Sequence, residues 1–343
     1  MTVTIELPSA VVLTAPEWVE LELTNKCQQE CGHCFNESGP TVPHDVMALD
    51  DWTRVITECA ELGVKGVQLI GGEPTTFPGW RDLVDHALSK GLLVEVFSNL
   101  FHITDKGWTT LSKPGVRLGT SYYSVNAGEH DKVTKVAGSH ERTRANIVKA
   151  LGLGIPVRAG VVRCHDGQLE RLAVQELQAL GVQRITLDDA RGVGRAGNGE
   201  TPTVDVLCGN CARGKLAILP DGAVSPCVIG RWMQPFNIRE TSLRKVLLSP
   251  EWAAVAASIP KPKQRDACAP KDGSSCAPTG CAPLEYVPIT MLGCPPNDSN
   301  DCSPASTEAC GPSYYAPVDT AACPPDDSND CSPASTEACG PKY

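Results

Sequence analysis

The sequence is short of aromatics. Phe, Trp and Tyr make up only 5% of its 343 residues, so a core must be built mostly from aliphatic side chains. No apolar run approaches the ~20 residues that a membrane-spanning helix needs, which argues against a membrane protein. Residues 1–13 show no basic segment and no small-residue cleavage site, so no signal peptide is expected and the cytoplasm is the expected compartment. Positive charge is also scarce: 30 Lys and Arg face 40 Asp and Glu, a net −10. A nucleic-acid partner, which needs a cationic face for its phosphates, is therefore not expected. The imbalance is uneven, because residues 263–343 hold four basic and eleven acidic side chains.

What the chain has in quantity is glycine (31), proline (28) and cysteine (17). Its apolar share of 41% is enough for an ordinary core. Cytoplasmic thiols stay reduced, so this many cysteines points to metal or redox roles rather than to disulfides. They are grouped. Cys27, Cys31 and Cys34 come first, Cys208, Cys211 and Cys227 form a middle group, and nine lie between Cys268 and Cys339. Cys59 and Cys164 stand alone and read as core or incidental residues.

Strand-like segments at 18–23, 67–70, 93–97, 116–123, 157–163 and 184–187 alternate with helical ones at 49–62, 80–89, 141–151 and 169–180. That is the βαβ rhythm of a parallel sheet. About six units fit before residue 190, too few for a closed eight-unit barrel. The expected fold is α/β, a partial (β/α)6 barrel over residues 1–200. A small cysteine-bearing domain at 201–262 and a Cys/Pro-rich acidic tail at 263–343 follow. The tail contains 13 of the prolines and a repeat: residues 294–312 recur at 323–341 with one difference, Asn297 against Asp326. With so few large apolar residues it is expected to be disordered.

Cys27, Cys31 and Cys34 follow the first strand in a C-x3-C-x2-C loop. Three thiolates within eight residues can wrap one metal centre, and soft ligands select zinc or an iron–sulfur cluster. His33 is a formal fourth zinc ligand, but adjacent side chains rarely converge on one ion. Three ligands suit a [4Fe–4S] cluster with one iron left open, while zinc and a metal-free loop remain alternatives. Gly71-Gly72-Glu73-Pro74 ends the second strand. With this pair of motifs the chain resembles the radical S-adenosylmethionine (SAM) superfamily over about residues 17–196.

The resemblance implies that the three cysteines hold a [4Fe–4S] cluster whose open iron is chelated by SAM. Gly71, Gly72 and Glu73 would meet the SAM amino group. Ser98 and Asn99 after the third strand and Ser121 on the fourth would also face SAM. The segment from Glu129 to Ser139 resembles the family's loop after that strand. It departs from the family at about Thr134, where an arginine is frequent, so Arg158 and Arg195 become candidates for the SAM carboxylate. His33 reads as part of the loop that shields the cluster.

Cys211-x10-Gly222-x4-Cys227 reads as a β-hairpin with a thiol at either end, turning at Pro220-Asp221-Gly222. It is similar to the start of the SPASM/twitch extension, which implies an auxiliary iron–sulfur cluster, with a zinc hairpin as the alternative. Cys208 is a candidate third ligand, and Cys268, Cys276 or Cys281 a fourth. The C-x7-C-x7-C spacing of the tail repeats fits no zinc or cluster pattern. Low-complexity extension, additional thiol ligands and a built-in peptide substrate all remain open for it.

The activity implied is reductive cleavage of SAM to a 5′-deoxyadenosyl radical that abstracts a substrate hydrogen. It would need an electron donor such as flavodoxin or ferredoxin. A ribosomal peptide is the first expected substrate. A sugar, aminocyclitol or nucleoside is the second, and a non-enzymatic iron–sulfur or zinc module the third reading.

Overall fold

In the computed structural model, residues 15–261 are described. Six parallel strands, β1 (Trp18–Glu22), β2 (Gly66–Ile70), β3 (Leu93–Phe97), β4 (Val116–Tyr122), β5 (Val157–Arg163) and β6 (Arg184–Asp189), lie side by side in chain order. Helices α1 (Leu49–Glu61), α2 (Trp80–Ser89), α3 (Asp105–Leu111), α4 (Ala127–Thr134), α5 (Ser139–Gly152) and α6 (Glu170–Ala179) connect them. On the far side of β1 the sheet continues through β7 (Lys215–Ile218), parallel to β1, and then antiparallel β8 (Ala223–Ser225) and β9 (Phe236–Asn237). Helices α7 (Leu243–Leu248) and α8 (Pro250–Ser258) complete the described chain. The sheet ends at β6 on one side and β9 on the other, so it is an open (β/α)6 arrangement as expected.

Each strand has two faces because side chains alternate. Val19 and Leu21 of β1 are fully buried, as are Val67 and Leu69 of β2 and Val94 and Val96 of β3. Trp52, Val55, Ile56 and Cys59 bury one stripe of α1 at helical spacing. Asp51 closes this helix's first turn by accepting from Ala48 N at 3.0 Å. Cys59 is thus a core residue.

The other face is polar. Glu20, Gln68, Glu95 and Arg117 stand in register across β1 to β4. The buried Glu95 carboxylate accepts from Gln68 Nε2, from Arg117 Nε at 2.8 Å and from Arg158 at 2.9 and 2.6 Å. The Arg158 and Arg117 charges outweigh the cost of burial and hold Glu95 below the usual carboxylate range.

Two differences from the sequence reading concern local structure. The segment after β4, expected as a loop, begins with α4. Asn126 caps it by accepting from Glu129 N at 3.0 Å, and the chain turns at Lys135 and Gly138 with positive φ before α5. Helix α3, only seven residues long, starts on a Thr104 cap and was too short to show a period. The hairpin at Cys211–Cys227 joins the main sheet beside β1, so the sheet runs across residue 200 without a break. The tail and its repeats lie outside the described residues.

Candidate functional site

The first cysteine group sits on the loop between β1 and α1, at the C-terminal ends of the parallel strands. Three neighbours hold this loop. The strand-end glycines of β2 anchor its start: Gly72 N donates to Thr24 O at 2.7 Å and Glu73 N to Lys26 O at 2.9 Å. The end of α4 holds its middle, where Glu30 N reaches Thr134 O and Gly32 N reaches Val133 O at 3.2 and 3.1 Å. Arg195 clasps its end. The Arg195 N–H meets Cys34 O at 3.0 Å, while Nε and Nη2 donate to the carbonyls of Cys31 and Ser38 at 2.7 Å each.

The glycines are required by this packing. A Cβ on Gly72 would stand 2.4 Å from Lys26 O, and one on Gly71, whose φ is +151°, would stand 2.6 Å from Thr24 O. Glu73 is fully buried and joins two strand ends. Its carboxylate accepts from Thr75 N and Oγ1 at 3.1 and 2.6 Å and from Asn99 N at 2.8 Å. Ser98 is buried and accepts from Leu100 N at 3.0 Å. Asn99 donates from Nδ2 to Cys27 Sγ at 3.5 Å. The structure therefore brings Gly71, Gly72, Glu73, Ser98 and Asn99 together beside Cys27. Ser121 stands one strand further, on the polar face of β4, paired with Gly160 in register and hydrogen-bonded to Tyr123.

Cys27 and Cys31 share Gln29 as a partner, and Cys34 has Asn36. Cys27 Sγ accepts from Gln29 N at 3.4 Å, Cys31 Sγ meets Gln29 Oε1 at 3.6 Å, and Cys34 Sγ donates to Asn36 Oδ1 at 2.9 Å. Burial pushes the Cys27 thiol far up, with the Glu73 charge adding to it. Burial, then Cys34, pushes Cys31 up to about 12. Loading a metal group must displace these protons. Burial and the Arg195 charge lower His33 to about 4, so its ring is neutral, edge-on to Tyr123 at 5.0 Å.

Of the arginines considered for a SAM carboxylate, Arg158 is held on Glu95 and Arg195 is turned onto the cysteine loop. Thr134 bonds Ser139 Oγ at 2.6 Å.

Cys208, Cys211 and Cys227 form the second group, all less than 8% exposed and packed with Leu207 and Ile259. Cys208 and Cys211 sulfurs are 3.8 Å apart, and Cys211 and Cys227 sulfurs 2.9 Å. All eight described cysteines are free thiols. The hydrogen bond from Cys211 lowers the Cys208 thiol, while its contacts with both neighbouring sulfurs raise Cys211. Cys268, Cys276 and Cys281 lie outside the described residues.

Sequence reading missed the polar residues that frame both groups. Glu22 is fully buried, accepting from Asn36 Nδ2 at 2.5 Å and from Arg231 Nη1 at 2.7 Å. The alternation of Glu20 and Glu22 in Trp-Val-Glu-Leu-Glu was the one available signal.

An open sheet of sequential parallel strands, with a three-thiol loop after its first strand and a glycine-rich end on its second, defines a class. The family model described as the radical SAM superfamily matches residues 21–168, and that of an iron–sulfur cluster-binding domain, SPASM, matches residues 208–277. The chain thus carries a radical SAM domain followed by a SPASM domain. It is 29% identical over 157 residues to the PqqA peptide cyclase of Bradyrhizobium diazoefficiens, covering 45% of this chain and 41% of that protein. It is 34% identical over 134 residues to the AdoMet-dependent heme synthase of Methanosarcina barkeri, covering 39% and 38%. The chain thus spans less than half the length of these curated relatives. Among solved structures, Streptococcus suis SuiB bound to S-adenosylmethionine superposes with a TM-score of 0.60 at 15% identity, covering 71% of this chain and 68% of that one.

The two domains imply a [4Fe–4S] cluster with SAM in the first and auxiliary iron–sulfur binding in the second. The donor sets fit, since each group offers three free thiols and no competing disulfide. No helix among the described residues is long and apolar enough to cross a membrane.

Proposed function

We propose that this chain is a radical SAM enzyme that modifies a ribosomal peptide during natural-product maturation. The observation that carries the SAM-cleaving reading is the clamped three-thiol loop set against Gly71–Glu73 and Asn99. Cys27, Cys31 and Cys34 would hold the first cluster, which when bound would supply the electron for reductive cleavage of SAM. Gly71 and Gly72 seat the loop close to the strand ends, so that backbone oxygens there face the SAM amino group. Glu73 fixes the joint to Asn99 and places negative charge beside that ammonium. Ser98 and Ser121 complete the SAM side of the site. Cys208, Cys211 and Cys227 hold an auxiliary cluster, and a flavodoxin or ferredoxin supplies electrons.

The peptide substrate is supported by the similarity to PqqA peptide cyclases. The test uses anaerobic, dithionite-reduced protein with SAM. It should form 5′-deoxyadenosine, and with the precursor peptide encoded beside its gene it should change that peptide's mass. Absence of 5′-deoxyadenosine overturns the enzyme reading. Its formation, with sugar- or nucleoside-modifying genes as neighbours and no peptide changed, overturns the peptide reading alone.

A further inference from the structure

Lys215 opens β7 four residues after Cys211. It pairs in register with Trp18, which puts it on the polar face of the sheet next to Glu20. Its ammonium sits 3.2 Å from Glu20 Oε1, and its side chain is only 15% exposed. The other oxygen of Glu20 accepts from Val228 N, the residue after Cys227, at 3.1 Å. One carboxylate therefore fixes both a buried cation and the backbone that carries a thiol of the second group. Burying an ammonium is costly, and a single acid with a second bond to satisfy offsets only part of that cost. An anionic group held by Cys211 and Cys227, which neighbour Lys215 and Val228 in the chain, would offset the rest.

A thiolate-ligated iron–sulfur cluster is anionic, and reduction adds one more negative charge. A fixed cation held beside the ligand-bearing backbone in a poorly solvated site stabilises the reduced form more than the oxidised one. We propose that Lys215 is a positioning and charge-compensating residue of the second site, which raises the reduction potential of the iron–sulfur cluster bound there, with Glu20 setting how much of its charge is felt. This rests on the reading of Cys208, Cys211 and Cys227 as cluster ligands. Nothing in the sequence motif demands a lysine here. The role follows from the register that places Lys215 beside Glu20, and from the bond between Glu20 and Val228.

The experiment uses the full chain with Cys27, Cys31 and Cys34 replaced by alanine, so that only the second cluster reports. After anaerobic reconstitution, its midpoint potential is read by an EPR-monitored redox titration in this parent and with Lys215→Met, Lys215→Arg or Glu20→Gln added. Lys215→Met should shift the potential negative, Lys215→Arg should leave it near the parent value, and Glu20→Gln should shift it positive. A purely structural role would not give opposite signs for the two partners of one ion pair. An unmoved potential in Lys215→Met, or shifts of the same sign in Lys215→Met and Glu20→Gln, overturns the proposal. Should the methionine variant hold no cluster, Glu20→Gln decides: a positive shift supports the proposal and any other result overturns it. A parent without iron and sulfide defeats the cluster reading itself, and the proposal with it.

Discussion

Cys27, Cys31 and Cys34 lie on one loop and bond to Gln29 and Asn36 of that loop, whereas Cys208, Cys211 and Cys227 come from two segments and touch one another. The first group is spaced by bonds its loop makes to other elements: the end of β2, the end of α4, and Arg195. The second is brought together by the hairpin, in which Ala217 faces Ser225 and Ile218 faces Val224. The first is partly open to solvent at Cys31 and Cys34, and the second is buried throughout. A site that must admit a second molecule needs an open side and anchors from outside. A site that only holds its own group can be closed by local register and packing. The two meet across β1, where Glu22 faces Asn36 and Arg231 while Glu20 faces Lys215 and Val228.

The most severe way to break this pairing is to remove one group at a time. Replacing Cys27, Cys31 and Cys34 with alanine should abolish 5′-deoxyadenosine formation while iron and sulfide remain at the second group. Replacing Cys211 and Cys227 should remove the second group's iron and leave SAM cleavage measurable. Iron analysis and product chromatography check both.

A lesion in an anchor should separate the groups more finely. Gly72→Ala forces a methyl against Lys26 O, and overpacking of this kind costs about 1–3 kcal/mol. It should displace the cysteine loop and lower iron at the first group, with the second unchanged. Equal loss from both would contradict the independence argued above.

Glu73→Ala removes the carboxylate proposed above to meet the SAM ammonium. We expect SAM affinity to fall by about 1.5–3 kcal/mol, roughly 10- to 150-fold. Because the same carboxylate bonds Thr75 and Asn99, the melting temperature should fall too. An unaltered SAM titration would remove Glu73 from the SAM site and leave it a joint between strands.

A smaller effect is expected at Asp131, which fixes the turn between α4 and α5. Burial raises its pKa, but the N–H groups of His140 and Gly138 and the Ser139 hydroxyl outweigh that and hold it below the usual value. A depressed folded pKa means stability that is present above the unfolded value of about 3.9 and lost as pH falls through the folded one. Asp131→Asn should therefore destabilise near neutral pH, and should lose less on acidification from pH 5 to 3 than the parent. Thermal melts across that range test it. The smallest change is expected from ending the chain at residue 292, which should leave both groups' iron and the basal 5′-deoxyadenosine yield as they were. Loss of iron would make the repeat cysteines ligands.

Much of this protein is legible in one dimension. The period-2 strands and period-3.6 helices fixed six βα units, because alternation and helical spacing follow directly from which face meets the core. Thiol spacing in a C-x3-C-x2-C loop identified the first group, since ligands near in sequence are near in space. The Pro220-Asp221-Gly222 turn foretold the meeting of Cys211 and Cys227 for the same reason. What the tertiary structure decided is everything that joins residues far apart in the chain. That includes Arg195 on the carbonyls of Cys31 and Ser38, Glu95 under Arg117 and Arg158, and β7 beside β1 rather than in a sheet of its own. It also includes Glu20 and Lys215, about two hundred positions apart and in ionic contact at 3.2 Å. No local pattern encodes such pairs, because the energy that makes them comes from burying charge beside charge, and only the folded sheet sets which charges are buried together.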